Sequence, residues 1–243
     1  MFCTYNRLDF TKRMLDSFLK NTTSPYHLLI VDNGSTDGTQ EYLATTLHNI
    51  HGNESCLGVE FQFNQKNKGI AVGRNQGLLM AQKYKDDYLS TLDNDIEFPV
   101  NWLENCIDIL KVNPTFALGM NFEHINYPLH TINGKEFQVK PAGNLGTACT
   151  VFPQSLHQAI GYFTTEYGLY GEEDADYFFR ARMAGYQMGY LKENGVHFGE
   201  GPEDTGPYRE FKTKQHADNL AKFQANCHAY MARRKPFFIP YSE

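Results

Sequence analysis

Three short apolar runs in the first hundred residues each empty into a polar turn, and helix-length segments separate them. His27–Asp32 (HLLIVD) stops at Asn33-Gly34-Ser35-Thr36-Asp37-Gly38, Gly58–Phe63 stops at Asn64–Gly69, and Tyr88–Leu92 stops at Asp93-Asn94-Asp95. Runs this short, bounded by Gly, Asn and Asp, read as buried strands. Thr39–Leu47, Ile70–Lys83 and Trp102–Val112 read as helices, Ile70–Lys83 with a small-residue face suited to close packing on a sheet. Strands alternating with helices predict an α/β fold with a mostly parallel central sheet flanked by helices. In such sheets ligands bind beyond the carboxyl ends of the strands, so the site is expected where the three turns meet.

Past residue 115 the pattern is looser. Ala117–Met120 reads as a strand, Asn121–Pro141 as a hairpin or excursion, and Leu145–Phe152 as a return to the sheet. Tyr177–Ala184 reads as a helix ended by Gly185, Met188–Leu191 as a short strand, Gly199–Pro207 as a mobile loop, and Glu210–Arg233 as a long C-terminal helix. The expected division is a main domain over 1–207, with a nucleotide-binding part over 1–98 and an acceptor part over 99–207, followed by a helical extension over 208–243.

Charge and cysteines narrow the classes. The net charge is −6, and the basic triplet Arg233-Arg234-Lys235 stands apart from any basic stripe. General nucleic-acid binding is therefore not expected. Five widely spaced cysteines without C-x-x-C argue against a disulfide framework or a thiolate zinc site and for isolated reduced thiols. No apolar run approaches the roughly 18 residues of a membrane span, and the N-terminus lacks a signal-peptide layout. The expected address is cytoplasmic, with peripheral membrane association left open.

Asp93-Asn94-Asp95 is the first candidate site. Alternate side chains of an extended segment share a face, so two carboxylates can address one ligand, and Mg²⁺ or Mn²⁺ prefers such oxygens. The alternative is an ordinary acidic turn. Asp32 reads either as a cap or Asx turn or as an acceptor for a nucleobase. Asp32–Gly38 is not a calcium loop, since Gly34 and Thr36 occupy positions that need acids. Gly69–Gly77 is neither a dinucleotide nor a P-loop signature. Glu172-Glu173-Asp174-Ala175-Asp176 reads either as a solvated helix start or as the source of a general base. His197 reads either as a hydrogen-bonded core histidine or as a further metal ligand.

Taken together these segments resemble family 2 glycosyltransferases of the GT-A fold. The resemblance runs from Thr4-Tyr5-Asn6-Arg7 through Ile30–Thr39, Asn67–Gly77 and Leu92–Ile96 to Glu173–Tyr186, with its trailing R-x-x-x-x-G-Y from Arg180, and ends near Gly199. It implies a nucleotide-sugar donor, UDP-linked for preference, and a divalent cofactor, Mn²⁺ or Mg²⁺. It also implies a glycan, lipid-linked, protein or small-molecule acceptor. Thr4, Tyr5, Asn6 and Asp32 would hold the nucleoside, with Arg7 beside them. Lys68 and Arg74 would lie near the donor, with Gly69 allowing close backbone approach. Asp93 would face the ribose or the metal's hydration shell, with Asn94 alongside. Asp95 would bind the metal, His197 would add a ligand, Asp174 would be the base, and Glu173 would orient the acceptor. A single displacement would invert the anomeric centre, and Gly199–Pro207 would close over the donor.

Three features sit apart from the resemblance. Only Met1-Phe2-Cys3 precede the Thr-Tyr-Asn turn, so strand one is expected to be very short. Asn121–Ala148 carries no interpretable motif, and Pro236–Tyr241 (PFFIPY) reads as a tail packed on its own domain or docking a partner. The competing readings are a non-catalytic sugar-nucleotide or glycan-binding module, which need not keep Asp95, Asp174 and His197 together, and a nucleotidyltransferase, which needs a basic Gly-rich loop that Thr4–Arg7 does not supply.

Overall fold

The computed structural model describes residues 1–122, 124–199 and 205–242. Its frame is a nine-stranded sheet with helices on both faces. The N-terminal half is β1 (Phe2–Thr4), α1 (Leu8–Asn21), β2 (Tyr26–Asp32), α2 (Thr39–His51), β3 (Cys56–Phe63), α3 (Ile70–Ala81) and β4 (Tyr88–Leu92). These strands lie in the order β3-β2-β1-β4 and pair in parallel. The chain thus moves outward from β1 to β3, and α3 carries it back to the other side of β1. That reversal leaves a crevice beyond the ends of β1 and β4, the position where open sheets bind ligands.

The second half is mixed. β5 (Ile96–Glu97), α4 (Trp102–Val112), β6 (Phe116–Gly119), β7 (Leu129–Ile132), β8 (Lys135–Lys140), β9 (Cys149–Pro153), α5 (Gln154–Ile160), α6 (Glu173–Met183), β10 (Gln187–Leu191), β11 (Val196–His197) and α7 (Gly206–Met231) follow in order. β9 inserts antiparallel between β4 and β6, β10 runs parallel to β6, and the β7–β8 hairpin closes the edge. The expected excursion over Asn121–Pro141 is this hairpin. The expected helix over Tyr177–Ala184 starts earlier, at Glu173, so the acids form its first turn, where the helix dipole favours carboxylates. Helices α1 and α5 are not marked by the sequence pattern. The loop over Gly199–Pro207 falls largely on residues 200–204, outside the described residues.

Strand alternation sorts the core into two layers. Leu28, Ile30, Phe116, Leu118 and Val151 pack under α1, α2 and α4 with Met14, Phe18, Leu43 and Trp102. Leu29, Ala117 and Phe152 pack under α3, α5 and α6 with Leu78, Leu156, Tyr177 and Phe178. β1 has three residues, as expected, and sets only Phe2, Cys3 and Thr4 against Ile30, Val31 and Asp32. Between the amino-terminal halves of β2 and β4 lies a cavity of about 370 Å³ lined by Met1, Tyr26, Leu28, Ser90 and Trp102. The tail folds back on the domain: Ile239 N donates to Ile160 O at 3.0 Å, and Tyr162 N donates to Ile239 O at 2.8 Å.

The small-residue face of α3 is used as the sequence suggests. A Cβ on Gly73 would overlap Cys3 Sγ, and one on Gly77 would overlap Met1 Cε. The Met1 and Cys3 side chains lie directly on the α3 backbone, which fixes where the rest of α3 points. Gly73→Ala is expected to destabilise the fold by about 1–3 kcal/mol, the usual range for overpacking, outweighing the ~1 kcal/mol that alanine adds to a helix interior. Urea unfolding of Gly73→Ala, Cys3→Ala and the double variant checks this. The double variant should recover part of the loss, and losses that simply add would contradict the contact.

Candidate active site

β1 ends at Thr4, and the chain then takes two non-glycine residues through the left-handed region, Asn6 (φ 57°) and Arg7 (φ 62°). That conformation is sparsely populated outside glycine and costs on the order of 1–3 kcal/mol per residue. Hydrogen bonds hold the turn. Asn6 N donates to Ser35 Oγ at 2.7 Å and Asn6 Oδ1 accepts from Thr36 N at 2.9 Å, so the β1 and β2 turns are joined. The turn delivers the Arg7 guanidinium to Asp95, with Nη1 2.7 Å from Oδ2.

The loop after β4 is clipped to β1 through Asn94. Its Nδ2 donates to Thr4 Oγ1 at 2.9 Å and to Thr11 Oγ1 at 3.0 Å. Asn94 and Thr4 are both buried and engaged with each other, so their side chains set the loop's position. Asp93 and Asp95 are splayed to different partners. Asp93 Oδ1 accepts from Arg74 Nη2 at 2.8 Å, and the other arm of the same guanidinium, Nη1, reaches Glu173 Oε1 at 2.8 Å. Arg74 is buried on α3 and so ties the end of β4 to the start of α6. Burial opposes its charge, but Asp93, Glu173 and Asp174 outweigh burial and hold the guanidinium protonated.

The acids at the start of α6 feel each other. Burial and the neighbouring Asp174 push Glu173 up to about 7, against the pull of Arg74. Asp174 is half-buried, and burial raises it too, while Arg74 and the Ala175 N–H, 2.7 Å from its Oδ1, pull it down. Its Oδ2 lies toward Gly146. Glu172, at φ 68°, turns away from this pair to His216 Nδ1 on α7 at 3.1 Å.

A two-residue ladder brings in His197. β11 pairs antiparallel with β5, setting His197 opposite Ile96, and Phe198 N donates to Asp95 O at 2.8 Å. The imidazole is therefore not in the core. Its side chain is 38% exposed, its Nδ1 accepts from Gly199 N at 3.1 Å, and its Nε2 stands 3.6 Å from Asp95 Oδ1. That Oδ1 is buried and has no hydrogen-bond partner. An orphaned carboxylate oxygen and an imidazole nitrogen at this separation fit two ligands of one divalent ion, each about 2.0–2.3 Å away. Among the described residues no group of three or more His, Cys, Asp or Glu converges on one point. Such an ion would complete its shell from phosphate and water, as magnesium usually does. Asp93 is held by Arg74 and does not join Asp95 and His197 in such a group.

These groups share one cavity of about 1030 Å³. Thr4, Tyr5, Arg7, Arg74, Asp93, Asn94, Asp95, Glu173, Asp174 and His197 line it. Asn6, Asp32, Lys68 and Gly69 do not line it. Asp32 is fully buried: its Oδ1 accepts from Gly34 N, Ser35 N and Gln40 Nε2, an Asx turn, while its Oδ2 has no partner. The Lys68 backbone N–H points to Asn33 Oδ1 at 3.4 Å. Gly69 (φ 91°) does permit a close backbone approach, but the neighbour is the chain's own Gly168–Leu169, which a Cβ would strike at 2.8–2.9 Å. Sequence reasoning missed two walls. Gly146-Thr147-Ala148 close one side, and Arg209, Lys212 and His216 on α7 face the acids from the other. The spacing of those three along one helix was the available signal.

The sequence model described as "Glycosyl transferase family 2" matches residues 1–183. An uncharacterised glycosyltransferase of Rickettsia conorii is 28% identical over 152 residues, 63% of this chain and 22% of its own length. The O-antigen chain rhamnosyltransferase WbaN of Salmonella anatum is 26% identical over 200 residues, 74% of this chain and 58% of its own. The chain therefore spans about a fifth of the rickettsial relative's length and somewhat over half of WbaN's. Among solved structures, the mannosyltransferase PcManGT of Pyrobaculum calidifontis, in complex with GDP-Man and Mn²⁺, superposes with a TM-score of 0.65 at 16% identity, over 94% of this chain and 67% of that one. With the matched segment covering well over half of its residues, the chain belongs to glycosyl transferase family 2 and has the GT-A fold.

Proposed function

We propose that the chain transfers a glycosyl group from a nucleoside-diphosphate sugar to an acceptor hydroxyl, with inversion. The observation that carries this reading is Arg74, which holds Asp93 and Glu173 so that the Asp95–His197 corner and Asp174 face one cavity. Asp95 Oδ1 and His197 Nε2 would hold a divalent cation, which supplies Lewis-acid stabilisation of the diphosphate leaving group. Tyr5, 39% exposed at the cavity, offers a face for the base, while Asp32, buried in its Asx turn, shapes the β2 turn instead of reaching the ligand.

Asp174 is the general base. It takes the proton from the acceptor hydroxyl as that oxygen bonds to the anomeric carbon, and the electron pair of the broken bond leaves with the nucleoside diphosphate. One displacement from the opposite face inverts that carbon. Burial raises the basicity of Asp174, which suits proton abstraction near neutral pH. Glu173, gripped by Arg74, is a positioning residue that keeps the guanidinium and Asp174 in place. The walls from Gly146–Ala148 and α7 exclude water that would hydrolyse the donor.

The first test is a thermal-shift screen of UDP, GDP, dTDP and CMP with and without Mn²⁺, since binding to the folded state raises the melting point. One nucleoside diphosphate is expected to shift it in a Mn²⁺-dependent way, and no shift from any would overturn the reading. Asp95→Ala should abolish the Mn²⁺-dependent shift. Asp174→Asn should keep it and lose transfer by about 10²–10⁴-fold, the usual range for a general base. Equal loss of donor binding in both would contradict the division of labour. In the unmodified chain, transfer should rise with pH along an acid limb whose apparent pKa lies above the usual carboxylate range, because the base must be ionised and Asp174 is raised. Arg74→Met should destabilise the fold by about 3–5 kcal/mol, because it strands the buried Glu173 carboxylate and frees the half-buried Asp93; calorimetry at neutral pH checks this.

A further inference from the structure

The C-terminal arm differs from the rest of the chain in charge and exposure. From Gly206 to Ser242 it carries seven Lys and Arg against two Asp and Glu, on a chain of net charge −6. α7 buries one side, with Asn219 and Tyr230 at 2% and 1% exposure. Leu220 and Met231, 42% and 58% exposed, lie eleven residues apart, which is about three helical turns, so they point the same way. The chain then turns through Arg233 and Arg234 to Phe237 and Phe238, 40% and 49% exposed. Among the described residues the Arg233 and Arg234 side chains have no carboxylate partner, whereas Lys235 is drawn inward to Glu166 at 2.7 Å.

We propose that this outward face is a dock for an anionic membrane surface. Leu220, Met231, Phe237 and Phe238 enter the boundary between headgroups and acyl chains, while Arg233 and Arg234 pair with lipid phosphates. Apolar side chains beside unpaired cations match both halves of that surface. A second copy is the poorer occupant, because a twofold contact through this face sets its cations against each other. The aromatic pair is also presented on a fixed backbone. Phe237 O accepts from the buried Arg180 at 3.2 Å, and Ile239 is bonded to Ile160 and Tyr162. Docking therefore requires little ordering of the tail. The same helix walls the active cavity at its start, through Arg209 and Lys212. A bilayer under α7 thus runs beside the cavity.

The test is flotation of the whole chain with vesicles of phosphatidylcholine, alone and mixed with phosphatidylglycerol, at low and high salt. Binding is expected with the anionic vesicles and should weaken at high salt. The double variant Arg233→Gln, Arg234→Gln should bind them at least about tenfold more weakly. The triple variant Met231→Ser, Phe237→Ser, Phe238→Ser should do the same, with melting points unchanged because these side chains are exposed. Absence of binding to anionic vesicles at low salt would overturn the proposal. So would binding that both variants retain, or light scattering that shows a dimer dispersed by the triple variant. None of these readouts depends on sugar transfer.

Discussion

A single buried guanidinium sets the geometry of this molecule. Arg74 is fixed at one end by α3, whose Gly73 lies against Cys3 on β1, and at the other by Asp93 and Glu173. Neither end can slide without opening the contact between Gly73 and the Cys3 side chain or leaving a charge unpaired in the interior, which is costly. The second acid of the Asp93-Asn94-Asp95 segment has its own cation, Arg7, supplied by a turn that bends two non-glycine residues into the left-handed region. The two aspartates are thereby held apart, one toward α6 and one toward His197. A cavity rich in carboxylates would otherwise expel itself into solvent or neutralise by taking up protons.

A second buried pair does for the C-terminal third what Arg74 does for the site. Asp176 and Arg180 are both fully buried, 2.7 Å apart and one helical turn along α6. Arg180 donates to Ile160 O, Tyr162 O and Phe237 O, and Asp176 accepts from the hydroxyls of Tyr167 and Tyr230. One ion pair thus fastens α5, α7 and the tail to the helix whose first turn carries Glu173 and Asp174. A buried pair adds little net stability, but it tolerates one arrangement of its partners. Here that arrangement determines where α7 crosses the cavity.

What the sequence made legible was local. The β2, β3 and β4 turns were visible because a short apolar run ending in Asn, Gly or Asp has few other readings, and the acids before Arg180 were visible as a cluster. α1 was hidden because its buried Met14, Leu15 and Phe18 are scattered through a polar stretch with no side-chain cap at its start. The placement of His197 beside Asp95 depends on a two-residue ladder between segments a hundred positions apart, and no periodicity reports such a pairing. Gly69 shows the converse. The need for glycine was legible, but its cause is contact with Gly168 and Leu169, and only the fold brings those residues near.

Among the described residues three carboxylate oxygens are buried without a partner, Asp32 Oδ2, Asp95 Oδ1 and, away from the cavity, Glu104 Oε2. Buried acceptors are nearly always satisfied, and an exception calls for an explanation. All three have their other oxygen engaged, Asp32 by the Asx turn, Asp95 by Arg7 and Glu104 by Thr23 and Ser24, so none can rotate to relieve the deficit without breaking those bonds. The protein thus holds each acid rigidly while leaving one acceptor free, and of these only Asp95 Oδ1 borders the cavity, where the proposed function assigns it to the cation. Stability is given up where local rules are broken, and such places are where function is expected. The same logic sets Asn94 apart from its flanking acids: both its amide hydrogens are bonded within the fold, and it serves the site by holding the loop still.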